Sequence, residues 1–273
     1  YVHQIQRDRI FVTDNNKTEI VLPKSQQIFN DHFKRGEQIR GLIKGVDFSA
    51  GRSPEIIMSR TDNIFLEKLF ELEVPEIEDG IIEIKKIARA PGDRSKIVVY
   101  SSDRRIDAVG ACVGMKGSRI QSIVRELNGE KIDIINFSDQ SALLISRALS
   151  PVKPVDLYID EDDLYALAIF KDDELAMAIG RNGSNLRLTQ DITGYTITAR
   201  SESDHFKSKS INLDTIDTLS DKFKATFKEA DIISTKDFFE KTDDELLALK
   251  GIGEKSLEKI KDLLSKEVKN NNG

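Results

Sequence analysis

Apolar positions in the first sixty residues come in short alternating runs. Arg9–Thr13 and residues 19–22 are β-rich and are separated by Asp14-Asn15-Asn16, a stretch suited to a tight turn. Gly36-Glu37 opens a run carrying Ile39, Ile43 and Val46 that closes at Asp47; a loop containing Gly51 and Pro54 follows, and Glu55–Ser59 supplies another strand. With the strand-like opening at Tyr1, these make five short strands without a long intervening helix, which predicts a small barrel. The spacing then changes. Residues 61–72 read as a helix with Ile64, Leu66, Leu69 and Phe70 as its apolar positions. An acidic stretch around Pro75 (Glu71, Glu73, Glu76, Glu78, Asp79) marks a boundary.

The most informative pattern is an internal repeat between residues 107 and 200. At an offset of 66, Gly114 matches Gly180, Gly117 matches Gly183 and Ser118 matches Ser184. Each copy reads helix, Gly-x-x-Gly, helix, strand. Ile120, Ile123, Val124 and Leu127 give the second helix of the first copy one buried stripe. Asp107 and Asp173 are expected to cap the first helix of each copy, Ser118 and Ser184 the second, and Gly129 and Gly194 to end it. Strands are expected at 81–89, 95–100 and 131–137 around the first copy, and at 155–159, 164–170 and 195–200 around the second. After a polar linker at 201–210 the sequence turns helical, and Gly251-Ile252-Gly253 joins two amphipathic helices in a helix-hairpin-helix pattern.

A glycine pair between two helices has a physical use. Without Cβ atoms the backbone can lie against a sugar-phosphate strand, and the following helix offers free N–H groups and the positive end of its dipole. Lys116 and Arg119 in the first copy, and Arg181 and Arg187 in the second, can meet phosphates without selecting a base. This is the KH design, in which the loop clamps about four nucleotides of a single strand. Candidate RNA-binding residues are therefore Gly114, Met115, Lys116, Gly117, Ser118 and Arg119, with Gly180, Arg181, Asn182, Gly183, Ser184 and Arg187.

Charge qualifies this picture. The net charge of −6 speaks against a nucleic-acid partner, but the average hides segregation. Ten Lys/Arg face three Asp between residues 85 and 125, whereas eight acids face Lys171 between 156 and 174, so the second loop is expected to contribute less than the first. Those acids lack an ordered ligand spacing and read as a solvated face rather than a metal site. Three histidines and the lone Cys112 leave no zinc cluster or disulfide framework, and Cys112 reads as a small buried residue. No apolar run reaches the length of a membrane helix, and a cytoplasmic location is expected. No P-loop, Rossmann fingerprint or nucleophile-base set is visible; no enzymatic activity, cofactor, metal or small-molecule substrate is expected. Phe11, His32, Phe33 and Phe48 are candidates for base stacking or for core packing. Gly251-Ile252-Gly253 is open between phosphate binding, protein docking and a structural role.

Taken together, Gly36-Glu37 to Ser59 resembles the ribosomal-S1-type OB-fold. A longer set resembles the NusA family of bacterial transcription factors: Ser59-Arg60-Thr61, Glu73-Val74-Pro75-Glu76-Ile77, Arg89 to Lys96, Asp107 to Gly114, Glu130 to Asp133 and Ala178-Ile179-Gly180. The resemblance implies an α+β multidomain protein, with an all-β OB-fold (S1-like) barrel at 1–62, two bacterial-type KH α/β domains at 63–149 and 150–203, and a small helical domain at 211–268. It also implies binding of nascent single-stranded RNA at RNA polymerase, with other antitermination factors as partners, and effects on pausing, termination and antitermination. Family members usually carry a polymerase-binding segment ahead of the barrel. The sequence opens at Tyr1, without Met and already strand-like, which suggests that an upstream segment has been lost. Two rival readings remain at this point: the KH/S1 accessory part of an exoribonuclease, which usually has one KH unit placed before the barrel, and a ribosome-associated RNA-binding scaffold.

Overall fold

Residues 1–48, 53–208 and 210–270 are described by the computed structural model, and the expected Gly51 loop lies outside them. They fall into two units, one made of the described residues within 1–153, 159–166 and 177–197, the other of those within 154–158, 167–176 and 198–270.

The first unit begins with a five-stranded sheet made of β1 (Val2–Ile5), β2 (Arg9–Thr13), β3 (Glu19–Pro23), β4 (Leu42–Asp47) and β5 (Glu55–Ser59), in the order β1-β2-β3-β5-β4. The pairs are antiparallel except β3 with β5. The Asp14 carboxylate accepts hydrogen bonds from the N–H groups of Asn16 and Thr18, so the β2–β3 turn closes on its own side chain. Val2, Ile10, Val12, Leu22 and Met58 fill the interior, with Phe33 and Ile39 packed against them. Ile43, half exposed at 52%, and Val46 on β4 point to solvent rather than into the barrel.

Helix α1 (Asn63–Glu73) starts where the Asp62 carboxylate accepts the Ile64 N–H at 3.0 Å. That start rotates the buried stripe by one position: Phe65, Leu66, Leu69 and Phe70 are buried, and Ile64 is outside. Then follow α2 (Pro75–Glu78), β6 (Glu83–Ala90), β7 (Arg94–Tyr100), α3 (Ala108–Val113), α4 (Ser118–Glu126) and β8 (Lys131–Asn136). The sheet order is β6-β7-β8, with β7 and β8 parallel. The acidic stretch around Pro75 is no boundary. Glu73 accepts from the Ser122 hydroxyl at 2.9 Å and Glu76 from Arg119 at 2.9 Å, while Val74 is fully buried beside Ile97, Val99, Ile123 and Leu127.

The second repeat comprises α5 (Ser141–Ala148), β9 (Asp156–Asp160), β10 (Tyr165–Phe170), α6 (Leu175–Ile179), α7 (Ser184–Thr193) and β11 (Thr196–Ser201), its strands ordered β11-β10-β9. Ala148, Leu188 and Ile192 of α5 and α7 share a core with Ala88, Val98 and Ile135 of the first three-stranded sheet. Within the first unit, α7 is therefore held against the first repeat rather than tethered to it by a linker.

Beyond β11 the sequence expectation of a polar linker is replaced by helix α8 (Glu202–Ser208), whose Phe206 ring stacks on Phe239 at 5.1 Å. The rest of the second unit is α9 (Asp221–Glu229), α10 (Thr235–Glu240), α11 (Asp243–Leu247) and α12 (Glu254–Asn270). Capping boxes at Ser234/Asp237 and Thr242/Glu245 start α10 and α11. The Gly-Ile-Gly bend between α11 and α12 buries Ile252 in the helical core, as a helix-hairpin-helix requires.

Cys112 is fully buried in α3, and burial, reinforced by the nearby Glu76 carboxylate, pushes its thiol up to about 12. The native protein at pH 8 is expected to resist alkylation by iodoacetamide and to react fully in urea; rapid alkylation without denaturant would contradict the packing of α3. No described helix is long and apolar enough to cross a membrane, and no described group of acids, histidines and cysteine is placed to hold a metal ion.

Candidate nucleic-acid interface

The two Gly-x-x-Gly loops adopt the same backbone path. In the first, Gly114 has φ 74°, ψ 171°, Lys116 φ 51°, ψ 28°, and Gly117 φ 76°, ψ 15°. In the second, Gly180 has φ 78°, ψ 171°, Asn182 φ 50°, ψ 30°, and Gly183 φ 72°, ψ 13°. Each loop is a single 3-10 turn closed by a hydrogen bond from the second glycine to the first, 3.0 Å and 3.1 Å long. Lys116 and Asn182 are held in the left-handed region, which costs a non-glycine residue about 1–3 kcal/mol.

The glycines of each pair have different duties. A Cβ on Gly180 would lie 2.7 Å from the Asn185 Cβ and 2.8 Å from its backbone nitrogen; on Gly114 it would lie 2.7 Å from the Arg119 Cγ. The first glycine thus lets the loop pack against the helix it precedes. A Cβ on Gly183 would meet nothing within 4 Å, and on Gly117 only ordinary contacts, so this side of the loop is open to a ligand backbone. Accordingly, Gly180→Ala is expected to destabilise the fold by about 2–4 kcal/mol, and Gly183→Ala by about 1 kcal/mol, from φ strain alone. Urea denaturation of the two variants checks the ranking, and equal losses would contradict this division.

The tips face outward. Met115 is 89% exposed, and Lys116, Arg181 and Asn182 are exposed, as is Arg187 on the first turn of α7. Other expectations are corrected. Ser118 and Ser184 do not cap their helices: the left-handed Gly117 and Gly183 occupy the N-cap positions, with no side-chain cap. Ser118 is exposed, whereas Ser184 is nearly buried. Arg119 is engaged inside the protein, donating to Glu76 at 2.9 Å and to the Ala111 carbonyl at 2.6 Å. Its repeat counterpart, Asn185, does the same with the Ala178 carbonyl at 2.9 Å. Both braces lock the end of the preceding helix to the start of the next, and sequence reasoning missed Asn185 altogether. α7 ends at left-handed Gly194 as expected, but α4 ends at Glu126, ahead of left-handed Asn128 and Gly129.

The basic segment from 85 to 125 is mostly neutralised from within. Arg89 is fully buried against Glu130, Arg94 and Lys96 share Asp133, Lys85 pairs with Glu83, and Arg105 with Asp103. With Arg119 also paired, Lys86, Arg104, Lys116 and Arg125 make no ion pair among the described residues. Burial alone would raise the Asp133 carboxyl, but Arg94 and Lys96 bring it below the usual carboxylate range. Its folded-state pKa is depressed, so its stabilisation is present above the unfolded carboxylate pKa and fades as pH falls through the acid range.

Two clefts lie on the first unit, one along α4 and one at the second loop. One, of about 570 Å³, runs along α4 and is lined by Gln121, Val124, Arg125 and Asn30. The other, of about 400 Å³, is bordered by Phe29, the turn after β6, and Arg181, Asn182 and Arg187. Adjacent residues of one barrel loop, Phe29 and Asn30, therefore border both. Of the aromatic candidates, Phe48 is exposed, Phe33 packs on the barrel core with the buried Arg60 guanidinium over its ring, Phe11 is partly buried and His32 exposed.

Residues 60–137 match the model of the NusA-like first KH domain and residues 141–207 that of the NusA-like second KH domain. Residues 199–266 match the model of the C-terminal domain found in the alpha subunit of bacterial RNA polymerase. Proteins named transcription termination/antitermination protein NusA are similar over most of the sequence. That of Halalkalibacterium halodurans is 44% identical over 201 residues, 74% of this protein and 52% of the relative; that of Bacillus subtilis is 44% identical over 188 residues, 69% and 50%; that of Rickettsia prowazekii is 40% identical over 201 residues, 72% and 40%. The matched region spans about half the length of the first two relatives.

Proposed function

Because the protein belongs to the NusA family and holds both of its KH domains, we propose that it grips one continuous single strand of RNA across both glycine loops. The observation that supports this reading most is the pair of loops with matched dihedrals and outward tips, each offering a bare second glycine and a cation to a phosphate. The barrel loop bordering both clefts supports continuity of the strand's path. The residues in contact with RNA are Gly114, Met115, Lys116, Gly117 and Ser118 in the first loop, and Gly180, Arg181, Asn182 and Gly183 with Arg187 in the second. Arg119 acts indirectly, by bracing the first bend, and Ser184 borders the cleft at the second loop.

The RNA is nascent transcript at RNA polymerase, and binding modulates pausing, termination and antitermination together with other factors; the names of the relatives speak of termination and antitermination. Domain limits fall at 1–62, 63–149, 150–203 and 211–268. The protein works without catalysis, in the cytoplasm. Labelled RNA incubated with the purified protein and phosphate is expected to keep its length, and shortening would favour the exoribonuclease reading. Protection of nascent RNA in a halted elongation complex tests the reading itself, and an unchanged cleavage pattern on adding the protein would reject it.

A further inference from the structure

The turn joining β6 to β7 is built with more care than a hairpin needs. The Glu130 carboxylate, itself fully buried, accepts from the Gly92 N–H at 2.8 Å, from Arg89 at 2.7 Å and 2.9 Å, and from the Ser95 hydroxyl. Gly92 has φ 82°, and a Cβ there would strike the Phe29 ring at 2.5 Å. Phe29 lies on that bare backbone and yet is 64% exposed. The next residue, Asp93, borders the cleft that Phe29 shares with Arg181 and Arg187 of the second loop. None of these three charged side chains makes a hydrogen bond or ion pair among the described residues. A rigid turn thus presents one free carboxylate beside an exposed ring and two free guanidinium groups, in a cleft of about 400 Å³.

We propose that this cleft is a guanine-reading subsite of the RNA path, an inference that rests on the single-strand reading above. The Phe29 ring gives a base a face to stack on. Arg181 and Arg187 hold the phosphates on either side. The Asp93 carboxylate selects the base, because an ionised carboxylate only accepts hydrogen bonds and does so through two oxygens. Guanine alone of the four bases offers two adjacent donors, N1–H and the 2-amino group, on its Watson–Crick edge. Adenine and cytosine place a ring acceptor beside their amino group, and uracil flanks its single N–H with carbonyls. Each of these sets a lone pair against the second carboxylate oxygen.

The test compares the affinity of the protein for four 12-nucleotide single strands: oligouridine, (UUG)4, (UUI)4 and (UUA)4, by fluorescence anisotropy. Inosine keeps N1–H but lacks the 2-amino group. The wild-type protein is expected to bind (UUG)4 about tenfold more tightly than (UUI)4 or (UUA)4, the discrimination of one good bidentate pair. Asp93→Asn replaces one acceptor oxygen by a donor and is expected to bring (UUG)4 to the level of (UUI)4. Phe29→Ala is expected to weaken all strands that contain purines. Equal wild-type affinity for (UUG)4 and (UUI)4, or a guanine preference that survives Asp93→Asn in a folded variant, overturns the subsite while leaving the single-strand reading in place. Failure of the wild-type protein to bind any of the four strands overturns both.

Discussion

Placing Met115→Asp and Lys116→Asp together with Arg181→Asp and Asn182→Asp is expected to lower affinity for single-stranded RNA on the order of 100-fold. The four side chains stand at the exposed tips of the two loops. Substitution there removes two cations and puts four carboxylates against the phosphate path. A loss of about 1.4 kcal/mol per loop corresponds to tenfold each, and the two add because each loop is a separate turn. Salt dependence should flatten as well. Each phosphate contact on a single strand contributes a slope of about −0.7, so losing Lys116 and Arg181 should reduce the slope by about 1.4. The loop backbones are set by the glycines and by the Arg119 and Asn185 braces, none of which is altered, so the variant should fold. Unchanged affinity and slope in a folded quadruple variant would reject RNA clamping by the loops.

The second large effect concerns stability. Glu130→Ala leaves the fully buried Arg89 guanidinium with only the Asp62 carbonyl, at 2.9 Å, as a partner, and strips acceptors from the Gly92 N–H and the Ser95 hydroxyl. An uncompensated buried charge typically costs about 3–5 kcal/mol, so the variant should lose that much in urea denaturation followed by circular dichroism. Removing both charges, as in Arg89→Met with Glu130→Leu, should recover much of the loss, since the penalty belongs to the orphaned partner rather than to the pair. A loss below about 1 kcal/mol for Glu130→Ala would show that the pair is not the anchor of the β6–β7 turn.

The duplicated glycine bend was legible in the sequence because it rests on local rules: a residue type that admits positive φ, an apolar stripe at helical spacing, and an offset that repeats. What escaped was set by partners far along the sequence. Arg119 reads as a phosphate contact until Glu76, 43 residues earlier, is seen to hold it. The basic run from 85 to 125 reads as a patch, yet Glu130 and Asp133, just beyond it, neutralise three of its cations. Ser118 and Ser184 look like caps from their type and place, but a 3-10 turn shifts the cap onto the glycine before each. The Phe29–Asp93–Arg181 cleft joins three distant segments, so no window of sequence could reveal it. Motifs whose chemistry was obscure, Arg89 to Lys96 and Glu130 to Asp133, turn out to face each other in two sets of ion pairs, Arg89 with Glu130 and Arg94 and Lys96 with Asp133.

Whether the loops act on a single strand is tested most directly by titrating the protein with oligouridines of 4 to 14 nucleotides in a calorimeter. Each clamp engages about four nucleotides, so strands long enough to reach both should gain affinity steeply beyond about eight, with one strand bound per protein molecule. The gain should vanish when either loop carries its pair of aspartates. Affinity that rises only smoothly with length, or two strands bound per protein molecule whether short or long, would mean that the loops hold separate RNAs.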